Sequence, residues 1–123
     1  MRTHHLIIDF QSTPSRLGDV QLVENFLLSC CRAVHMELLA GPYTIDLTWM
    51  SANPGVTSFI VISTSHISIH TFTQQGWAFL DLFSCVEFET QPIEDLVHKV
   101  FAPTYARRQE VAREVLPEGG KNG

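Results

Sequence analysis

Polar and apolar residues follow one another in two different rhythms along this chain. His5-Leu6-Ile7-Ile8-Asp9-Phe10 is short, apolar and β-branched, and Ser12-Thr13-Pro14-Ser15 then breaks it. That reads as a strand running into a loop. After Gly18, the apolar residues Val20, Val23, Leu27, Cys30 and Val34 recur at steps of three and four, which predicts an amphipathic helix. Residues 36–39 and 43–49 are two strand candidates separated by the turn signal Gly41-Pro42, and 51–55 is a further loop.

From Thr57 to Cys85 the texture is strand-like, with candidates at 59–63, 67–72 and 77–84 divided by small and polar residues. Ile93, Leu96, Val97, Val100 and Phe101 then return to helical spacing. Pro92 stands just inside the start and Pro103 just beyond the end, which predicts a second helix. Val111 and Val115 are assigned to a last strand, and 117–123 is expected to be a disordered tail.

Strands gathered around two helices without strict alternation predict an α+β fold. Its expected form is a two-layer sandwich, a mainly antiparallel sheet with both helices covering one face. Residues 1–116 are expected to form one domain, since 123 residues with 45% hydrophobic content can bury a core without staples.

Charge and cysteine usage narrow the function. A net charge of −5 leaves no basic stripe for phosphates, so neither nucleic acid nor an anionic membrane is an expected partner. No charged-then-apolar leader is recognisable, and a cytoplasmic protein is the expectation. Three cysteines, the adjacent Cys30-Cys31 and a distant Cys85, make neither a disulfide framework nor a zinc spacing.

The unusual stretch is Ser63-Thr64-Ser65-His66-Ile67-Ser68-Ile69-His70-Thr71, where hydroxyls and two histidines interrupt an apolar region. Thr64, His66, Ser68 and His70 share one strand parity and Ser65, Ile67 and Ile69 the other, so one simple reading is a solvated strand face. A hydroxyl nucleophile with a histidine base is the sharper reading. Ser65 and His70 could not share a face of one regular strand, however, so it needs a bend or chain break. No Gly-x-Ser-x-Gly elbow surrounds any serine, which argues against a hydrolase. His66 and His70 reach too far apart on a strand for easy chelation, so no metal site is expected.

The run 63–71, followed by Gly76-Trp77-Ala78-Phe79-Leu80-Asp81-Leu82-Phe83-Ser84-Cys85, resembles the prokaryotic S-adenosylmethionine decarboxylase proenzymes. Their pattern is Ser-Glu-Ser-His, then Ile-His-Thr, a short turn and Asp-x-Phe-x-Cys. His5-Leu6-Ile7-Ile8-Asp9 is similar to their first strand, so the resemblance covers nearly the whole domain. It implies that Ser65 attacks the carbonyl of Thr64, that the amide shifts to an ester, and that His70 assists elimination. The chain is thereby cut between 64 and 65, and Ser65 becomes a pyruvoyl group, a cofactor made from the protein itself. That group would form a Schiff base with the substrate and accept electrons as carbon dioxide leaves.

By the same resemblance Cys85 returns a proton to the substrate carbon, and Thr57 stands where a serine commonly assists processing. Phe72 could stack on adenine with help from Trp49, core packing being the alternative for both. The resemblance also implies a homodimer of cleaved protomers and a product used in spermidine synthesis. Three positions depart from the pattern: Thr64 replaces the usual glutamate, Gln74 replaces a glutamate near the substrate, and Val86 replaces a glycine. Gln74 is neutral where a carboxylate would grip ribose hydroxyls and complement a sulfonium. Three hypotheses therefore stand: an S-adenosylmethionine decarboxylase, a pyruvoyl decarboxylase of another amino acid such as arginine or ornithine, or an unprocessed noncatalytic relative.

Overall fold

Period-two alternation sorts each inner strand into a buried side and a half-exposed side. In β1 (Arg2–Gln11) the side chains of Leu6, Ile8 and Phe10 are buried, and their neighbours are only partly so. A computed structural model describes residues 1–116. Short helix α1 (Pro14–Leu17) and long helix α2 (Val20–Ala33) follow β1. Next come β2 (Leu38–Asp46), β3 (Val56–Ile62), β4 (Ser65–Phe72), β5 (Trp77–Ser84), α3 (Gln91–Phe101) and β6 (Tyr105–Glu114).

The six strands form one sheet in the order β2-β3-β4-β5-β1-β6, and every neighbouring pair is antiparallel. Only one face of the sheet carries helices. Val23, Phe26, Leu27 and Cys30 of α2 and Ile93, Val97 and Phe101 of α3 are buried with Ile60, Ile62, Ile67, Ile69, Leu80 and Leu82 of the sheet. Each such leucine, isoleucine or phenylalanine contributes roughly 1.5–3 kcal/mol by leaving water. Phe101 locks the layers together, its ring 4.9 Å from Phe10 and 5.0 Å from Phe26. This is the α+β sandwich that the strand and helix rhythms predict.

Local chemistry sets the helix ends. Asp19 caps α2 by accepting a hydrogen bond from the Leu22 amide at 3.1 Å. Pro92 occupies the first turn of α3, and Ala102 ends that helix in the left-handed region at φ 44°.

Several elements differ from the sequence reading. The two strands expected at 36–39 and 43–49 are one, β2, whose register shifts between Leu38 and Ala40 and between Ala40 and Tyr43. An edge strand satisfies a ladder on one side only, so it absorbs Gly41-Pro42 as an irregularity rather than breaking there. Trp49 lies beyond β2, in a turn closed by the Met50 amide donating to the Leu47 carbonyl at 3.1 Å. The segment read as a loop after β1 contains α1, capped by the Thr13 hydroxyl. Ser63 is a turn residue at φ 51° rather than the end of a strand. The expected tail, 117–123, lies outside the described residues.

Candidate active site

The first chemical cluster sits where β3 turns into β4. Ile62 pairs with Ser65, so Ser63 and Thr64 alone make the turn. Ser63 adopts the left-handed conformation that such tight hairpins demand. Ser65 opens β4 on the same side as Ile67 and Ile69 and is only 4% exposed. Cys85 directly follows the last residue of β5, and the β4–β5 register brings it opposite Thr64.

Three groups meet there. The Thr64 hydroxyl donates to Cys85 Sγ at 2.8 Å, and the Cys85 amide donates to Ser65 Oγ at 3.0 Å. The Thr64 hydroxyl, then the Ser65 hydroxyl, hold the Cys85 thiol below the usual cysteine range, against a weaker opposing effect of partial burial. Buried Ser84 shapes the bend that follows, its Oγ accepting from the Val86 amide at 3.1 Å.

A second cluster lies on the sheet face without helices. Thr57 and His70 are direct cross-strand partners, and Thr57 Oγ1 is 2.9 Å from His70 Nδ1. Phe72 continues the same face and meets Phe79 edge-on at 5.7 Å. Gln74 is exposed in the turn between β4 and β5, and Trp49 is 77% exposed with its indole N–H donating to the Asp46 carbonyl at 3.0 Å.

Thr64, Ser65 and Cys85 are thus brought together at one end of β4, and Thr57, His70 and Phe72 towards the other. Ser65 and His70 are not brought together. β4 is a regular strand from Ser65 to Phe72, so these two side chains point to opposite faces, about 17 Å apart along the strand at ~3.3 Å per residue. The parity conflict visible in the sequence therefore persists in the whole chain.

Other polar contacts have no sequence signal at all. His5 Nε2 lies 3.1 Å from Asp81 Oδ1 on the helix-free face. Thr44 links Glu24 of α2 to buried Ser58 of β3, its Oγ1 being 2.8 Å from the serine oxygen. The β1–β5 and β2–β3 registers, with the packing of α2 on β2 and β3, bring these residues within reach.

The α+β sandwich thus gathers a serine, a thiol and the hydroxyl preceding that serine at one hairpin end of the sheet. The sequence model of the family described as S-adenosylmethionine decarboxylase matches residues 4–114, and the chain belongs to that family. It is 28% identical over 117 residues to the S-adenosylmethionine decarboxylase proenzyme of Pyrococcus horikoshii, covering 94% of this chain and 81% of that one. S-adenosylmethionine decarboxylase proenzyme 2 of Bacillus anthracis is 29% identical over 102 residues, covering 80% of this chain and 78% of its own. The crystal structure of the adenosylmethionine decarboxylase from Aquifex aeolicus has the same fold, with a TM-score of 0.78 at 18% identity over 94% of this chain and 93% of that one.

Proposed function

We propose that this chain is a self-cutting proenzyme that decarboxylates S-adenosylmethionine, yielding the aminopropyl donor for spermidine synthesis. Membership of the family and the proenzyme names of its relatives support this. The observation that carries it is the contact of Thr64, Ser65 and Cys85 at the β3–β4 turn.

The cut is assigned to the bond between Thr64 and Ser65. Ser65 Oγ bonds to the Thr64 carbonyl carbon while the C–N bond breaks, and the nitrogen takes the hydroxyl proton. Removal of the Ser65 Cα proton, a task for His70, then expels Thr64 as a carboxylate. Water replaces ammonia on the residue left behind, which becomes a pyruvoyl group. The site fits that product: Ser65 begins a strand just after an exposed turn, so a cut there opens one turn, and the β3 and β5 ladders still grip the new chain end. In place, the group supplies a carbonyl that accepts electrons as carbon dioxide leaves. Cys85 holds the proton returned to the substrate carbon, Phe72 and exposed Trp49 offer faces for adenine, and Gln74 offers a neutral acceptor to its polar groups.

The working unit is a homodimer with each copy's residues 1–116 acting as one domain. Its support is the separation of the two clusters on β4 together with the helix-free face, where Phe59, Phe72, Phe79 and Phe83 lie. Laying two such faces together lets the Thr57–His70 pair of one copy serve the turn of the other. No helix among the described residues is long and apolar enough to cross a membrane. A soluble metabolite as substrate is consistent with a cytoplasmic enzyme.

Intact mass under denaturing conditions tests the cut: wild type should give two fragments divided between Thr64 and Ser65, and Ser65→Ala one uncut chain. Release of carbon dioxide from S-adenosylmethionine, set beside arginine and ornithine, then names the substrate. A wild-type chain that stays whole would sink the reading in favour of a noncatalytic relative.

A further inference from the structure

Thr64 stands on the scissile bond and touches Cys85, so cutting must change what Cys85 senses. In the whole chain Thr64 presents a hydroxyl to the sulfur at 2.8 Å. Its carbonyl carbon is separated from that hydroxyl only by Cα and Cβ. Once the bond to Ser65 is cut, this carbon carries a carboxylate, and a Thr64 that keeps its hydroxyl on the sulfur places that negative charge beside it. Donated hydrogen bonds favour a thiolate, and a neighbouring anion disfavours it.

We propose that Thr64 is a positioning residue that sets Cys85 twice: its hydroxyl favours the thiolate while the chain is whole, and its new carboxylate keeps the thiol protonated once the chain is cut. This rests on the self-cutting function proposed above and deepens it. A whole chain then holds a proton acceptor beside the Ser65 hydroxyl, and a cut chain holds the proton donor that decarboxylation needs. The enzyme acquires its acid through the same event that makes its electron acceptor.

In the whole chain the Thr64 hydroxyl is the first influence on the thiol and the Ser65 hydroxyl the second. Charged and titratable groups on the neighbouring elements are Glu37 before β2, His66 and His70 on β4, Asp81 on β5, His35 after α2, Arg2, His4, His5 and Asp9 on β1, Glu87 and Glu89 after Cys85, and Arg113 on β6. None of them makes a hydrogen bond or ion pair with the thiol among the described residues. Arg2 pairs with Glu87 at 3.4 Å, His4 with Glu110 at 2.6 Å, and His66 and Arg113 lie against the Phe83 ring.

The experiment measures iodoacetamide labelling of Cys85 by peptide mass spectrometry across the pH range in which thiols ionise. It compares cut wild type with uncut Ser65→Ala. Both lack the Ser65 hydroxyl, so they differ in the new carboxylate and in the pyruvoyl group, and a cut chain whose pyruvoyl carbonyl has been blocked with methoxyamine separates the two. The inflection should lie at least about one pH unit higher in the cut chain, which is about tenfold slower labelling at a fixed pH below both inflections. Adding Thr64→Val to the uncut chain should raise its inflection, and Thr64→Ser should restore it. In the cut chain Thr64→Val should leave the inflection above that of the uncut chain, because the carboxylate remains.

An inflection that stays put or falls on cutting would overturn the proposal, as would an uncut chain indifferent to Thr64→Val. A wild type that never cuts would instead overturn the self-cutting function, so the two failures are distinct. Thr64 lies in an exposed turn, and unchanged circular dichroism of both the Thr64→Val and the Thr64→Ser chains would show that the comparison is made on folded protein.

Discussion

Three cysteines in one chain experience opposite environments. Burial pushes the thiols of Cys30 and Cys31 up, whereas donated hydroxyls hold Cys85 down. Iodoacetamide should therefore label Cys85 first in the folded uncut chain. Labelling should rise with pH from a lower point than for a free cysteine, and fall away as pH drops through that lowered value, where the thiolate takes up its proton. Peptide mapping checks this, and modification of Cys30 or Cys31 before unfolding would contradict it. Thr71 makes a second case at this scale. Its hydroxyl donates to the Leu17 carbonyl at 2.7 Å and accepts from the Val56 amide at 2.9 Å, both in the interior. Thr71→Val should cost roughly 1–3 kcal/mol in urea unfolding, because both backbone groups lose their partner. The sequence shows Thr71 only as part of a family-like motif, and its structural duty emerges from α1 and β3 packing around it.

Among the elements, those with clean periodicity were legible. Both long helices and the strands β1, β3, β4 and β5 appear where apolar spacing places them, within a few residues at their ends. Local signals also mark the caps, and Asp19→Ala should lower stability by about 1 kcal/mol in thermal unfolding by removing the Leu22 amide's partner. Illegible elements lack an inner face. β6 is exposed along nearly its whole length, so of the two expected strand residues Val111 lies in it and Val115 just beyond its end, and β2 bends around Gly41-Pro42 at the sheet edge. Gly55 shows how tightly the loop after β2 is held. A Cβ there would lie 1.7 Å from the Thr71 carbonyl oxygen, and the contact is with backbone that cannot step aside. Gly55→Ala should destabilise the protein by more than Asp19→Ala does, which the same melting measurement compares directly.

At the level of the whole molecule, the separation of Ser65 from His70 makes a prediction about pairs of copies. Ser65→Ala and His70→Ala should each fail to cut alone. Coexpressed, they should cut if, as proposed, the Ser65 of one copy is served by the His70 of the other. Only the His70→Ala chain should be divided, as mass spectrometry would show, and light scattering should find the dimer. Absence of cutting in the mixture, with both chains folded and paired, would place the elimination within a single copy.

Much of this protein was settled by the sequence alone, because local alternation, helical spacing and the order of serine, histidine and cysteine are properties of neighbours along the chain. Those properties sufficed for the α+β class, the main elements and the family-like motif around Ser65. Tertiary structure decided which of the motif's residues can act on one another. Strand register carries Cys85, distant in sequence, to Thr64 and Ser65, while the strict alternation of β4 holds nearby His70 on the opposite face. Closeness along a strand is set by its pleat and closeness across a sheet by its register, and only the second depends on the chain having folded.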